Sequence, residues 1–323
     1  MVKIVVKAGF AVRKLIPGDR ETLARMTASA RQAPEIWRLV LGIVAAFFTA
    51  FVLLIVIVLG AGILLAPFLP GRDLSAIADI AAPDTQPVPV STFILLISFI
   101  ALIIGAKVAA KIHRRSLKSL CGIGDGLRPR ALGLGLGVVL IFTALSSLAG
   151  GGFSGLTQNI PLATWGMWLV PALFAIFIQT FAEELIFRGY LQQQLTAISI
   201  NPLVWWILPS VIFGLFHLDF ETFGENSWLI AGATTLMALI AADVTARTGN
   251  ISGALGLHFG NNIMAILLVA TPGPLAGLSL YLSPVSPSDT ELMRASIIAT
   301  IIPMIFAYAI YLFVVTRPGK AAD

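Results

Sequence analysis

The run LVLGIVAAFFTAFVLLIVIVLGAGILLAPFLPG, residues 39–71, is 33 consecutive residues without a charge, flanked by Arg38 and Arg72. Roughly 20 predominantly apolar residues suffice for a helix to cross the hydrocarbon of a bilayer. The stretch therefore reads as a transmembrane helix, long enough to span with tilt or with a kink near Pro67 or Pro70. The same reading repeats along the chain. Further apolar runs extend from Ser91 to about Ala110, from Ala131 to about Gly150, and from Trp165 into a charged end at Arg188. Others run from about Pro202 to Phe220, from Trp228 to about Ala242, from Ile251 to Ala270, and from about Ala295 to Val315. The expected fold is all-α: a polytopic transmembrane helix bundle of about eight spans.

Composition agrees. Of 323 residues, 58% are apolar and 11% charged, where a soluble chain carries about 25% charged residues. That shortfall excludes a water-soluble enzyme of one or two domains, and the apolar excess excludes disorder. The net charge of +5 is read as topology, not as a nucleic-acid footprint. With eight spans and both termini cytoplasmic, 19 of the 21 Lys and Arg residues fall inside, leaving Arg72 and Arg294 outside, as the positive-inside bias requires. Several outer loops are acidic, with Asp73, Asp79 and Asp84 in the first and Asp219, Glu221 and Glu225 in the third. The lone Cys121 permits no internal disulfide.

Four segments follow. Residues 1–38 form a basic cytoplasmic amino-terminal segment, either a helix on the inner leaflet or a solvated tail. They are too polar for a cleavable signal, so the first span is expected to act as an uncleaved anchor. Residues 39–150 hold three accessory helices, residues 165–270 a four-helix core, and residues 295–323 the last helix with a short cytoplasmic tail. The glycine-rich GLGLG at Gly133–Gly137 has neither the lysine of a phosphate loop nor the strand–helix setting of a dinucleotide site. It is expected to let helices pack closely.

With the topological charges set aside, a few ionisable groups remain in apolar spans, where their cost makes each a functional candidate. The fourth span ends FAEELIFRGY with Glu183, Glu184 and Arg188; the fifth ends FGLFHLDF with Phe213 and His217; the seventh contains GLHFGNN with His258, Asn261 and Asn262. The third histidine, His113, falls in the basic cytoplasmic loop and reads as ordinary. Glu184 and Arg188 are four apart, on one helix face, and can pair. Glu183 lies about 100° further round, free to point into the bundle as a general base or metal ligand. His258 and Asn262 are also four apart, and a carboxamide can donate to an oxyanion without titrating. Taken singly, each motif has a plainer reading: a topological ion pair, a satisfied polar histidine, interhelical hydrogen bonding. Together, in order and confined to the second half of the chain, they favour a catalytic site. Two other classes stay open: a proton- or ion-coupled transporter, since Glu and His also build proton relays, and a non-catalytic membrane partner or immunity protein.

The ordered set EExxxR (Glu183, Glu184, Arg188), FxxxH (Phe213, His217) and HxxxN (His258, Asn262) resembles the CPBP family of intramembrane proteases. That family includes type II CAAX prenyl endopeptidases and bacterial proteins linked to bacteriocin processing or self-immunity. The stretch ARTGNISGALGLHFGNN, residues 246–262, resembles the family's third motif region. The likeness covers about residues 165–270. It implies hydrolysis of a peptide bond in a membrane-associated substrate, CAAX-like or leader-type, at the cell membrane. Glu183 and His217 would activate water, His258 and Asn262 would bind the oxyanion, and Glu184, Arg188 and Phe213 would orient or support. The family is commonly classed with metalloproteases, so a Zn2+ held by Glu183, His217 and His258 is one version; a metal-free mechanism with Glu183 as base is the other. The expected partners are the lipid bilayer and a peptide or protein substrate, with no nucleic acid.

One difficulty follows from the span boundaries. His217 would lie about 22 Å above the start of its helix and His258 only about 10 Å above the start of its own, at 1.5 Å per residue. Straight, level helices would hold them apart, so tilt, a break at Pro209 or an inward shift of the fifth span is required.

Overall fold

A computed structural model describes residues 20–65, 88–149 and 154–315. Residues 1–19 of the basic segment, Pro67, Pro70, the loop bearing Arg72, Asp73, Asp79 and Asp84, and the tail with Arg317 and Lys320 lie outside the described residues. Among the described residues the fold is a helix bundle, with strands confined to three two-residue pieces. It comprises α1 (Arg20–Met26), α2 (Ile36–Leu65), α3 (Pro89–Ile97), α4 (Ile100–Ile112), α5 (Pro129–Ala149) and α6 (Leu162–Glu184). After α6 come α7 (Gln193–Ile198), α8 (Leu208–Leu215), α9 (Phe220–Phe223), α10 (Ser227–Thr248), α11 (Ser252–Asn262) and α12 (Thr290–Val315). The strands β1 (Thr157–Gln158), β2 (Val269–Ala270) and β3 (Tyr281–Leu282) form one small sheet in the order β1-β3-β2, antiparallel then parallel.

Among the described residues, six helical stretches are long and apolar enough to cross a membrane: Ile36–Leu64, Pro89–Ile112, Pro129–Leu148, Leu162–Ile198, Phe220–Thr248 and Thr290–Val315. The chain is thus a multi-pass membrane protein. Many large apolar side chains of α2, among them Trp37, Phe48, Phe51 and Leu64, are exposed, as lipid-facing residues should be. Two of the eight expected spans are shorter than the sequence suggests. The fifth is the apolar stretch Leu203–Leu215, about 20 Å at 1.5 Å per residue, short of the roughly 30 Å hydrocarbon core. The seventh is α11 followed by a π-helical stretch, Ile263–Leu268.

Because lipid tails are as apolar as leucine, helices in a bilayer associate through close packing rather than burial of oily surface. The chain uses small residues for this. A Cβ on Gly105 of α4 would stand 2.4 Å from the Ala46 carbonyl oxygen of α2, so these two helices touch backbone to backbone. A similar seam joins α5 to α11. There a Cβ on Gly135 would lie 2.7 Å from the Gly253 oxygen, and one on Gly256 would lie 2.2 Å from the Leu132 oxygen. Of the glycines at 133, 135 and 137, only Gly135 serves the seam; Gly133 and Gly137 face open space. The seam fixes α11, the helix that bears His258. Just before it, α10 stops at Gly249, whose φ of +69° suits a residue without a Cβ.

Among the described residues, three π-helical stretches interrupt the bundle, at Leu185–Gln192, Leu203–Ile207 and Ile263–Leu268. They directly follow Glu184, precede the helix carrying Phe213, and directly follow Asn262. Such wide turns concentrate at functional sites. The first of them also removes the difficulty over helix heights. The fourth span does not end near Arg188 but continues to Ile198. From Glu183 the chain descends to Ile198, turns, and climbs from Leu203 to His217. The two legs are of nearly equal length, each about 20 Å at the helical rise, so the short fifth helix returns His217 to the level of the glutamates.

Candidate active site

Glu183 and Glu184 close α6, and their environments differ as their helix positions imply. Glu184 is fully buried; its Oε1 accepts from Arg188 Nη1 at 2.8 Å and from His258 Nδ1 at 2.9 Å, while its Oε2 has no hydrogen-bond partner among the described residues. Arg188 also donates from Nη2 to the Ala238 carbonyl of α10 at 3.3 Å, and its guanidinium lies 4.8 Å from the centre of the Phe213 ring. Glu183 makes no ion pair with a Lys or Arg among the described residues. Its Oε2 lies 3.5 Å from His258 Nε2 and has no hydrogen bond within the described residues. The imidazole of His258 therefore stands between two buried carboxylates, bonded to Glu184 through Nδ1 and turned toward Glu183 through Nε2.

One helical turn beyond His258, the Asn262 Nδ2 donates to Gln179 Oε1 at 2.8 Å, while Asn262 Oδ1 accepts from Asn261 Nδ2 at 3.2 Å. Gln179 lies four residues before Glu183 on α6, hence on the same face. The α11 pair His258 and Asn262 thus meets the α6 pair Glu183 and Gln179 along one helix–helix contact.

His217 enters from the fifth helix. Its Nδ1 donates to the Phe213 carbonyl at 2.9 Å, so in the neutral ring Nε2 carries the lone pair. Phe213 is the spacer: its ring centroid lies 4.9 Å from that of His217, 6.0 Å from that of His258 and 4.9 Å from that of Phe187. His217 shares the Phe213 wall with His258, but among the described residues no three His, Cys, Asp or Glu side chains converge closely enough to hold a metal ion. A zinc site needs ligand atoms about 2.0–2.3 Å from one point. Glu183, His217 and His258 do not form such a set as they stand.

A cavity of about 740 Å³ lies on the Glu184 and His258 side of this cluster; Glu183, His217 and Asn262 are not among its lining residues. Its walls come from α5, α10, α11 and α12, mostly apolar, and Glu184, His258 and Asn261 contribute polar atoms to one side.

Four polar groups stand outside the sequence motifs. Gln179 sits in an apolar span but does not titrate, so a search for ionisable residues passes over it. Asp243 is buried in α10 and accepts from Arg247 Nε at 2.7 Å and from the hydroxyl of Tyr308 on α12. The sequence hides it because α10 runs to Thr248, past the expected end at Ala242, although the i, i+4 spacing of Asp243 and Arg247 is readable. His113 is not an ordinary loop residue. It is fully buried at the end of α4, donating from Nδ1 to the Ala33 carbonyl at 2.7 Å, with Nε2 3.1 Å from the Tyr190 hydroxyl. Burial lowers its pKa, opposed by the hydrogen bond to Ala33 and reinforced by the nearby Arg115. Arg115 is itself buried, bonded to Gln193 and Gln194 at 2.6 and 3.0 Å, and burial brings its guanidinium down to about 10.

Residues 164–264 match the family model of the type II CAAX prenyl endopeptidase, Rce1-like. A protein of Bacillus subtilis (strain 168) described as the uncharacterized protein YyaK is 32% identical over 113 residues. That alignment spans 34% of this chain and 38% of the relative, so the chain matches well under half of the relative's length. No solved structure matches the chain. The stretch similar to that family, residues 164–264, carries Glu183, Glu184, Arg188, Phe213, His217, His258 and Asn262.

Proposed function

We propose that this protein is an intramembrane endopeptidase that hydrolyses a peptide bond in a membrane-associated peptide, CAAX-like or leader-type, without a metal. The observation that carries the reading is the His258 imidazole held between two buried carboxylates: Glu184, ion-paired with Arg188, and Glu183, whose Oε2 faces His258 Nε2 at 3.5 Å with no hydrogen bond and no Lys or Arg ion pair among the described residues. A buried carboxylate oxygen without a hydrogen-bond partner is costly; Glu184 and Glu183 each have one, and Glu183, free of the ion pair that engages Glu184, is assigned the attacking water. Glu183 takes the proton of that water as it attacks the carbonyl carbon. His217, whose Nε2 is the accepting nitrogen, orients the same water. The oxyanion then accepts from Asn262 Nδ2 and, in the ring form that carries hydrogen on both nitrogens, from His258 Nε2; as the C–N bond breaks, Glu183 passes its proton to the leaving nitrogen. Preorganised donors of this kind are worth roughly 100- to 1000-fold each in rate.

Glu184 and Arg188 act through His258. With Nδ1 engaged by Glu184, the ring cannot turn Nε2 away from Glu183. The apolar cavity beside His258 suits a hydrophobic group next to the scissile bond. The positive-inside charge distribution supports a cell-membrane protein with both termini in the cytoplasm. A zinc-dependent version would need His217 to move toward Glu183 and His258, and the bond from its Nδ1 to Phe213 opposes that. The test uses purified protein in micelles with two quenched fluorescent peptides, one ending in a farnesylated CAAX sequence and one an unmodified apolar peptide. Cleavage of at least one, unchanged by a strong chelator and lost in His258→Ala, is expected. Turnover that chelation abolishes and added zinc restores would overturn the metal-free mechanism; no cleavage of either peptide would overturn the function.

A further inference from the structure

Of the polar side chains near the glutamates, Gln179 is the one that neither the motifs nor the mechanism uses. It is buried, with 7% of its surface exposed, in an apolar helix. Its Oε1 accepts from Asn262 Nδ2 at 2.8 Å. A glutamine in a transmembrane helix often does no more than hydrogen-bond a neighbouring helix. Here its partner is the side chain placed on the oxyanion, and its own position is one turn from Glu183.

An asparagine amide turns about a broad, shallow χ2 torsion, so it is a poor oxyanion donor unless something holds it. The backbone beneath Asn262 gives little help, because α11 passes into the π-helical stretch Ile263–Leu268 at that residue. The amide has two N–H donors and one accepting oxygen. Gln179 takes one N–H and Asn261 Nδ2 occupies the oxygen at 3.2 Å. These two bonds fix the plane of the amide and leave one N–H uncommitted. Since Gln179 and Glu183 lie on the same face of α6, the bond also sets the distance between the base and the oxyanion donor, which sit on different helices.

From this arrangement we infer that Gln179 is a positioning residue: it holds the Asn262 carboxamide in the orientation that binds the oxyanion and ties that donor to the helix bearing Glu183. The inference rests on the proposed hydrolytic reading of the site. Gln179 itself does not touch the substrate, so its removal should lower kcat and leave KM nearly unchanged.

The experiment is a double-mutant cycle on the full chain in micelles: parent, Gln179→Met, Asn262→Ala and the double variant, assayed with the two quenched peptides. Methionine keeps the length of the side chain and removes the acceptor. A misplacement of about 1 Å can cost up to about 100-fold in rate, so Gln179→Met should lose roughly 10- to 100-fold in kcat with KM within about twofold. In the Asn262→Ala background the same change should alter kcat by less than about twofold, since a residue that acts through Asn262 has nothing left to position. Thermal stability of the same four proteins is measured in parallel. Gln179→Met that lowers stability but leaves kcat intact marks a purely structural hydrogen bond and overturns the inference. Additive kcat losses in the double variant overturn it as well. A parent that cleaves neither peptide overturns the functional reading and this inference with it, whereas a parent that cleaves while the cycle is additive overturns this inference alone.

Discussion

Arg188→Met removes the cation from a pair in which Arg188 and Glu184 are 2% and 0% exposed. Removing one partner of a buried ion pair leaves the other charge uncompensated, which costs about 3–5 kcal/mol. The variant also loses the bond to Ala238 and the stacking on Phe213, the latter worth about 0.5–2 kcal/mol. Together these place the loss at the upper end of that range, a fall in the unfolding midpoint of roughly 10 °C. The double variant Glu184→Gln with Arg188→Met should recover more than half of the loss, because a neutral amide oxygen can still accept from His258 Nδ1 without stranding a charge. The chain carries its own reporter. Cys121 is its single cysteine; it is buried, and burial pushes its thiol up to about 11. A thiol-reactive fluorophore at neutral pH therefore labels only unfolded protein, and a heating curve in micelles reads the midpoint directly. An Arg188→Met midpoint within about 2–3 °C of the parent, roughly 1 kcal/mol, or a double variant no more stable than the single, would refute the argument that Arg188 neutralises a buried Glu184.

The glycines of GLGLG should separate by position. Gly135→Ala places a Cβ 2.7 Å from a backbone oxygen of α11 and should destabilise the protein and slow turnover by shifting His258. Gly133→Ala and Gly137→Ala face open space and should be neutral or stabilising by up to about 1 kcal/mol each, as the same heating curves would record. For His113, the lowered folded pKa means that below the unfolded value of 6.5 the unfolded chain binds more protons than the folded one. Its contribution is therefore complete above that pH and is lost as the pH falls toward the folded pKa. His113→Gln should remove that part of the slope of midpoint against pH between about 7.5 and 5, and an unchanged slope would contradict it.

The membrane fold is legible in the sequence because scarcity of charge over long runs has few other physical meanings. The candidate site is legible for the same reason: Glu183, Glu184, Arg188, His217 and His258 stand out in apolar helices by their cost. Gln179 does not, since an amide carries no charge to notice, and its importance lies in a bond to a residue 83 positions away. The span boundaries near Pro202 are hidden because a π-helical stretch has the same apolar composition as an α-helix. Nothing in LIFRGYLQ signals that the fourth span continues to Ile198. His113 is disguised by its neighbours: a run of basic residues reads as a solvated loop, yet the Ala33 carbonyl and the Tyr190 hydroxyl satisfy the ring in the interior. The i, i+4 spacing places Asn262 beside His258, and it stands there, one turn away on α11. What holds its amide is a contact between helices that periodicity cannot reach.

The most direct test of the account is the rate of peptide hydrolysis by Glu183→Gln, with Cys121 protection measured on the same sample to establish that the variant is folded. Glutamine keeps the size of the side chain and cannot accept the proton of water, so kcat should fall by about 100- to 10,000-fold, the usual worth of a general base. A folded Glu183→Gln protein that retains a kcat within about threefold of the parent, a difference of only about 0.7 kcal/mol in barrier, would contradict the claim that Glu183 activates the attacking water.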